Sequence, residues 1–149
     1  MEYIGAPRDE GCFLCRAAES EAEADDLVLA RRDPVFAIIN RYPYNTGHVM
    51  VAPVRHVGDV EALDDSEHLA LMRLIVEVVE AVRNEMSPDG FNIGANLGET
   101  AGAGLPGHFH MHVVPRWAGD TNFMPVIGGA KVLPEILEET YRRLRPRFG

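Results

Sequence analysis

The sequence predicts an α+β domain, an antiparallel sheet carrying one long helix and a C-terminal helix. Three observations carry that expectation. Short apolar runs separated by turn residues recur through residues 27–53 and 91–115, one stretch near 66–86 has helical periodicity, and a second such stretch runs from Leu133 to Leu144. The chain has 149 residues and is read as a single domain, 1–149, whose residues 1–11 mix Gly, Pro and charge without period and form a loose N-terminal arm. A chain of this length buries roughly 68–70% of the surface it exposes when unfolded, enough for a core without disulfides.

The elements follow in order. Ala17 to Asp26, rich in Ala and Glu, is either a short helix or an acidic loop. Leu27–Arg31 and Val35–Asn40 are two strands joined by an Arg-Arg-Asp-Pro turn, and residues 40–47 form a polar loop containing Pro43 and Gly47. His48–Pro53 is a third strand, stopped by its proline. In the long helix Leu69, Met72, Ile75, Val76, Val79 and Val82 recur at three- and four-residue spacing; Asp65 or Ser66 supplies the N-cap, and Ser87-Pro88-Asp89-Gly90 ends it. Phe91–Asn96 is a strand, Leu97–Gly107 a long glycine-containing loop, and His108–Pro115 a strand of strict alternation. The C-terminal helix places Leu133, Ile136, Leu137, Tyr141 and Leu144 on one side.

Composition narrows the function. With 14 Lys+Arg against 23 Asp+Glu the formal net charge is −9, which opposes a nucleic-acid partner, since affinity for a phosphate backbone comes from many neutralising cations. No 18-residue window lacks charge, so no transmembrane helix or membrane partner is expected. The amino terminus has neither the basic nor the apolar region of a secretory signal, so the cytoplasm is the expected compartment. Two cysteines cannot staple an extracellular scaffold.

The segment Gly107-His-Phe-His-Met-His-Val-Val-Pro-Arg-Trp117 carries the chemistry. Period two sets His108, His110 and His112 on one face of a strand and Phe109, Met111 and Val113 on the other. Alternate residues of one strand lie about 6.6 Å apart, so converging all three imidazoles on one ion is strained. A division of labour fits the spacing better: one histidine bound to scaffold or structural metal, one attacking, one donating to developing charge. Cys12-Phe-Leu-Cys15 has three readings, a redox pair, half of a zinc site, or two small buried residues. No second Cys-x-x-Cys exists, so zinc would need two histidines, and no thioredoxin-like strand and helix flank the pair.

His108-Phe-His-Met-His-Val-Val114 resembles the His-φ-His-φ-His-φ-φ signature, φ apolar, of the histidine triad (HIT) superfamily. Cys12-Phe-Leu-Cys15, Asn45-Thr-Gly-His-Val-Met-Val-Ala-Pro53, His56 and Gly98-Glu-Thr-Ala-Gly102 fit it too, so the resemblance spans nearly the whole chain. The tail from Trp117 to Pro125, with Gly128–Pro134, is most similar to the branch of diadenosine tetraphosphate phosphorylases and hydrolases.

That resemblance implies a HIT-like fold, a homodimer or higher homo-oligomer, and cleavage of a nucleotide phosphoanhydride without a catalytic metal. His110 would be the nucleophile, forming a nucleotidyl-histidine with its other ring nitrogen held by a backbone carbonyl, and His112 would hydrogen-bond phosphate or leaving-group oxygens. Asn40 would hold the ribose and Asn96 phosphate, while Gly102, Ala103 and Gly104 would offer backbone N–H groups to an anion. Relatives carry a Gly-Ser or Gln-Ser pair where this chain has Ala103-Gly104, which leaves water and phosphate both open as the acceptor. Structural zinc would be held by Cys12, Cys15, His56 and His108. Phe36 and Ile38 wall a base pocket or pack the core; Arg116 and Lys131 neutralise distal phosphates or carry surface charge. Asn45 and Asn122 are turn or capping residues, His48 is core and His68 surface. Rival functions are hydrolysis of nucleoside phosphoramidates, nucleotidyl transfer, and nucleotide binding without turnover.

Overall fold

The computed structural model describes residues 11–120 and 136–149. The expected arm at 1–11, apart from Gly11, and Asn122, Lys131 and Leu133 lie outside them. Five strands, β1 (Val28–Arg32), β2 (Val35–Ile39), β3 (Val49–Pro53), β4 (Gly90–Gly94) and β5 (Met111–Arg116), form one antiparallel sheet in the order β1-β2-β3-β5-β4. Every residue of β2 and β3 is buried, which explains their uninterrupted apolar runs. Two short helices, α1 (Phe13–Glu19) and α2 (Glu23–Asp26), precede the sheet; α1 brings Leu14, Cys15 and Ala17 into the core. The acidic stretch 17–26 is thus neither one helix nor one loop, because the helix starts earlier and breaks at Ser20.

The long helix α3 (Asp65–Met86) packs on β2, β3 and β5. Its N-cap is Asp64, one residue before the expected Asp65 or Ser66. The Asp64 carboxylate accepts the Glu67 N–H at 2.8 Å while Glu67 Oε1 accepts the Asp64 N–H at 3.0 Å, a reciprocal box that only this register closes. At the far end Ser87 takes left-handed φ 50° just before Pro88. The helical period is as expected, and so is the burial of Ile75 and Val82, but the buried face is shifted from the expected one. Leu71, Leu74, Ile75, Val78, Ala81 and Val82 face the sheet, whereas Leu69, Met72 and Val76 are at least half exposed. Apolar side chains lie on more than one face of this helix, and the face in line with the buried Glu67, carrying Leu71, Leu74 and Val78, is the one turned to the sheet.

Glu67 is 1% exposed and accepts two hydrogen bonds from Arg55, at 2.7 and 2.9 Å, besides closing the cap. Glu67→Ala removes the box and leaves the half-buried guanidinium facing a void. A loss of about 2–4 kcal/mol in urea unfolding is expected.

The last helix, α4, covers Leu137–Leu144 and buries Thr140 and Leu144; Ile136, expected on the packed side, is 68% exposed. Arg143 and Arg147 reach Glu85 of α3, at 3.2 and 3.0 Å, and so fasten the C-terminus to the long helix.

The triad strand is shorter than expected, since β5 begins at Met111 and not at His108. β3 and β5 pair as Val49↔Val113, Met50↔His112 and Val51↔Met111. Continuing that register sets Phe109 opposite Pro53, which has no N–H to give. The ladder stops there, and Phe109 N–H turns to the Val57 carbonyl at 2.6 Å.

Candidate active site and metal centre

The end of that ladder separates the three histidines into two places. His108 turns toward Cys12, Cys15 and His56, and the four potential ligand atoms lie within 4.8 Å of one another. His108 Nδ1 is 3.4 Å from Cys12 Sγ and 3.5 Å from Cys15 Sγ, and His56 Nδ1 is 3.3 Å from Cys15 Sγ. Bond lengths of 2.0–2.3 Å around a tetrahedral zinc imply ligand–ligand edges of about 3.3–3.8 Å. The set is therefore close to the size of such a site.

The surroundings of the four residues also fit a metal. His108 Nε2–H donates to the Pro53 carbonyl at 2.8 Å, so Nδ1 points its lone pair into the cluster. Burial holds the His108 pKa down to about 4, keeping the ring neutral. Burial also pushes the Cys12 thiol above its ordinary value, a penalty that a bound dication reverses. Two glycines let the loops close around the cluster. A Cβ on Gly58 would meet the Pro106 carbonyl oxygen at 2.5 Å, and one on Gly107 would meet His56 Nε2 at 3.3 Å. Among the described residues this is the one cluster of that kind. Both thiols are buried and free of disulfides, on α1 and its first flanking residue, which separates them from a surface redox pair.

His110 and His112 stay together, ring centroids 5.0 Å apart and nearly perpendicular. His110 Nδ1 is 2.9 Å from the His108 carbonyl oxygen, so Nδ1 carries the proton and donates it, and the Nε2 lone pair is left for attack. The tautomer of His112 follows from a longer chain. Tyr44 N–H donates to His48 Nδ1 at 3.1 Å, which leaves the His48 proton on Nε2. That Nε2 is 2.9 Å from His112 Nδ1 and donates to it, so His112 carries its own proton on Nε2. A bare nitrogen and an N–H are thereby set side by side.

His48, expected only as a core residue, is buried as foreseen but orients His112. The signal was its place just ahead of β3, two residues before the partner of His112 in the ladder. Burial, reinforced by His112 and His110, lowers its pKa to about 4, and burial then His110 lowers that of His112. Between pH 6.5 and 4 the unfolded chain therefore binds a proton at residue 48 that the folded chain refuses. Stability is fully present above pH 6.5 and is lost as the pH falls. The slope from this group is at most about 1.4 kcal/mol per pH unit. His48→Asn should flatten the acid limb of a pH series of urea midpoints by up to that amount.

A cleft of about 330 Å³ opens in front of His110 and His112, bordered by Asn96, Gly102, Gly104 and Tyr44. A second cavity of about 270 Å³ adjoins it, with Ile38 and Ile39 in its wall, and the two share Phe13, Asn40, Tyr42 and Met50. Ile38 thus lines a pocket, whereas Phe36 is fully buried in the core. Asn40 sits at the junction, its Oδ1 accepting the Tyr42 N–H at 2.8 Å. Phe13, Tyr42, Tyr44 and Met50 are lining residues that sequence reasoning missed.

The glycine loop differs from the expected anion cradle. The N–H groups of Gly102 and Ala103 bond within the loop, to Glu99 and Gly98 carbonyls at 3.0 and 3.1 Å, as does that of Ala101 to Gly98. Ala103 is buried, and its methyl group offers no hydrogen bond. Asn96 Nδ2 faces the Gly102 carbonyl at 3.5 Å. Arg116 is committed to Asp120 through two hydrogen bonds of 2.9 Å and to Asn92 at 2.7 Å, which answers the choice between phosphate partner and surface charge with a surface ion pair. Asn45 bridges Pro115 and Asp120, and His68 is exposed. No helix among the described residues is long and apolar enough to cross a membrane.

Known proteins are similar to this chain in sequence and fold. The HIT domain model matches residues 21–119. A Mycobacterium tuberculosis protein named AP-4-A phosphorylase is 47% identical over 128 residues, covering 86% of this chain; this chain spans 66% of that protein's length. A Schizosaccharomyces pombe bis(5'-nucleosyl)-tetraphosphatase (asymmetrical) is 34% identical over 84 residues, 56% of this chain and 46% of its own. A zinc-bound histidine triad family protein from Mycobacterium smegmatis superposes with a TM-score of 0.73 at 25% identity, covering 91% of both chains. A Sulfolobus tokodaii histidine triad protein has the same fold, TM-score 0.73 at 22% identity over 91% of each chain. With its five-stranded antiparallel sheet, its long helix and its matched domain, this chain belongs to the HIT domain family.

Proposed function

We propose that the protein is an enzyme that cleaves the phosphoanhydride of dinucleoside polyphosphates through a nucleotidyl-His110 intermediate, with diadenosine tetraphosphate as the leading substrate. One observation carries the reading: the hydrogen bond from His110 Nδ1 to the His108 carbonyl, which leaves Nε2 as a bare nucleophile beside the N–H of His112. One adenosine enters the cavity walled by Ile38, Phe13 and Met50, with its ribose at Asn40. The α-phosphate then lies in the adjoining cleft. His110 Nε2 bonds to the α-phosphorus as the bridging P–O bond breaks, and the remaining nucleotide leaves as an anion hydrogen-bonded to His112 Nε2–H. The adduct is positively charged on its ring, and the His108 carbonyl steadies that charge through Nδ1–H. Water or inorganic phosphate then attacks the phosphorus and frees His110.

Cys12, Cys15, His56 and His108 would hold zinc, which would cross-link α1 to the loops after β3 and before β5. A reducing cytoplasm suits those thiolate ligands. The same reading includes a homodimer, supported by the edge position of β4 with its half-exposed Ile93 and by the exposed Leu69, Met72 and Val76 of α3. Light scattering at a protomer mass would oppose it.

The mycobacterial relative's name supports phosphate as the acceptor. The pair Ala103-Gly104, which has no side-chain donor, leaves water open as the acceptor as well. Incubation with diadenosine tetraphosphate, with and without phosphate, tests both. ADP plus ATP formed only with phosphate means phosphorolysis, and AMP plus ATP formed without it means hydrolysis. Tight nucleotide binding with no cleavage in either arm would overturn the proposal.

A further inference from the structure

Two aromatic side chains at the mouth of the site are exposed far beyond what packing requires. Tyr42 is 86% and Tyr44 70% exposed, while the neighbouring β2 and β3 are wholly buried. They are not on a loose loop. Tyr42 N–H is held by Asn40 Oδ1, Tyr44 N–H by His48 Nδ1, and Asn45 is tied to Pro115 and Asp120. Pro43 between them fixes one more dihedral. The backbone is anchored at successive points, and both rings are offered to solvent from a firm turn.

Their positions differ in an informative way. Tyr42 borders both cavities, but Tyr44 borders only the cleft holding His110 and His112. The Tyr44 ring lies 26° from parallel to that of His112, with centroids 6.0 Å apart. It therefore stands beside His112, on the cleft and outside the lining of the enclosed pocket. A dinucleoside polyphosphate has two bases and the structure encloses room for one. A flat, exposed π-face suits the other, because every base has a face to stack and an exposed ring keeps its hydroxyl wet.

We propose that Tyr44 is a stacking platform for the base of the departing nucleotide, and so sets the preference for dinucleoside over mononucleoside polyphosphates, whereas Tyr42 borders the first nucleotide's cavity as well. The inference rests on the cleavage reading above, and the experiment separates the two. Diadenosine tetraphosphate and adenosine 5'-tetraphosphate present the same α-phosphate linkage, but only the first has a second base. The wild type, Tyr44→Leu and Tyr44→Phe are assayed for kcat/KM on both. Tyr44→Leu should lose about 10-fold or more on diadenosine tetraphosphate and less than about 3-fold on adenosine tetraphosphate. Tyr44→Phe keeps the ring and should stay near wild type on both. Equal losses on the two substrates would mean that Tyr44 acts on His112 or on the fold, and unchanged values would mean that it does nothing; either result overturns the platform while leaving the cleavage reading intact. A wild type that cleaves neither substrate overturns both.

Discussion

His110→Asn is expected to lower the turnover of diadenosine tetraphosphate by at least about 10⁴-fold while leaving nucleotide affinity within a few-fold. Asparagine occupies similar space and retains an amide that can donate to the His108 carbonyl, as His110 Nδ1 does at 2.9 Å. It has no nucleophilic nitrogen, so the covalent step disappears while the cavity at Ile38 and Asn40 stays as it was. Isothermal titration with a non-cleaved nucleotide and a product assay check the two halves. Turnover within 100-fold of wild type would remove His110 from the nucleophile's role.

The second large effect concerns the cluster beneath the site. Protein purified without chelator is expected to hold about one equivalent of zinc per chain, and Cys15→Ala to hold none. Ligand linkage at a concentration 1,000 times Kd is worth about 4 kcal/mol, and its loss lowers the melting temperature of a chain this size by about 10 °C. The effect reaches the chemistry as well. His108 offers its ring to the cluster and its carbonyl to His110, so loosening one frees the other. Elemental analysis with calorimetry reads both outcomes. Wild-type protein without zinc, with two titratable thiols and an unchanged melting temperature after chelation, would contradict the assignment.

The legible and illegible parts of this molecule divide by the range of the interactions involved. Strand alternation and the helical period are local, and they place His110 beside His112 and α3 over 65–86 as expected. The resemblance names Cys12, Cys15, His56 and His108 together, although 96 residues separate the first from the last. What needs a third dimension was less visible. The choice of the Leu71–Val78 stripe over Leu69–Met72–Val76 is made by packing on the sheet, in line with the buried Glu67 that Arg55 holds. The early end of β5 turns on a proline that the register sets opposite Phe109. His48 gained its partner only through that same ladder, 64 residues away. A glycine loop reads as an anion cradle in one dimension, but its Gly102 and Ala103 amides are spent on the loop itself.

The most direct measurement is mass spectrometry of the protein quenched during incubation with diadenosine tetraphosphate. A chain heavier by one adenylyl group is expected, with the adduct on the peptide containing His110 and absent from His110→Asn. Active turnover with no adduct under rapid acid-free quenching, or an adduct on any other residue, would contradict the nucleotidyl-His110 intermediate.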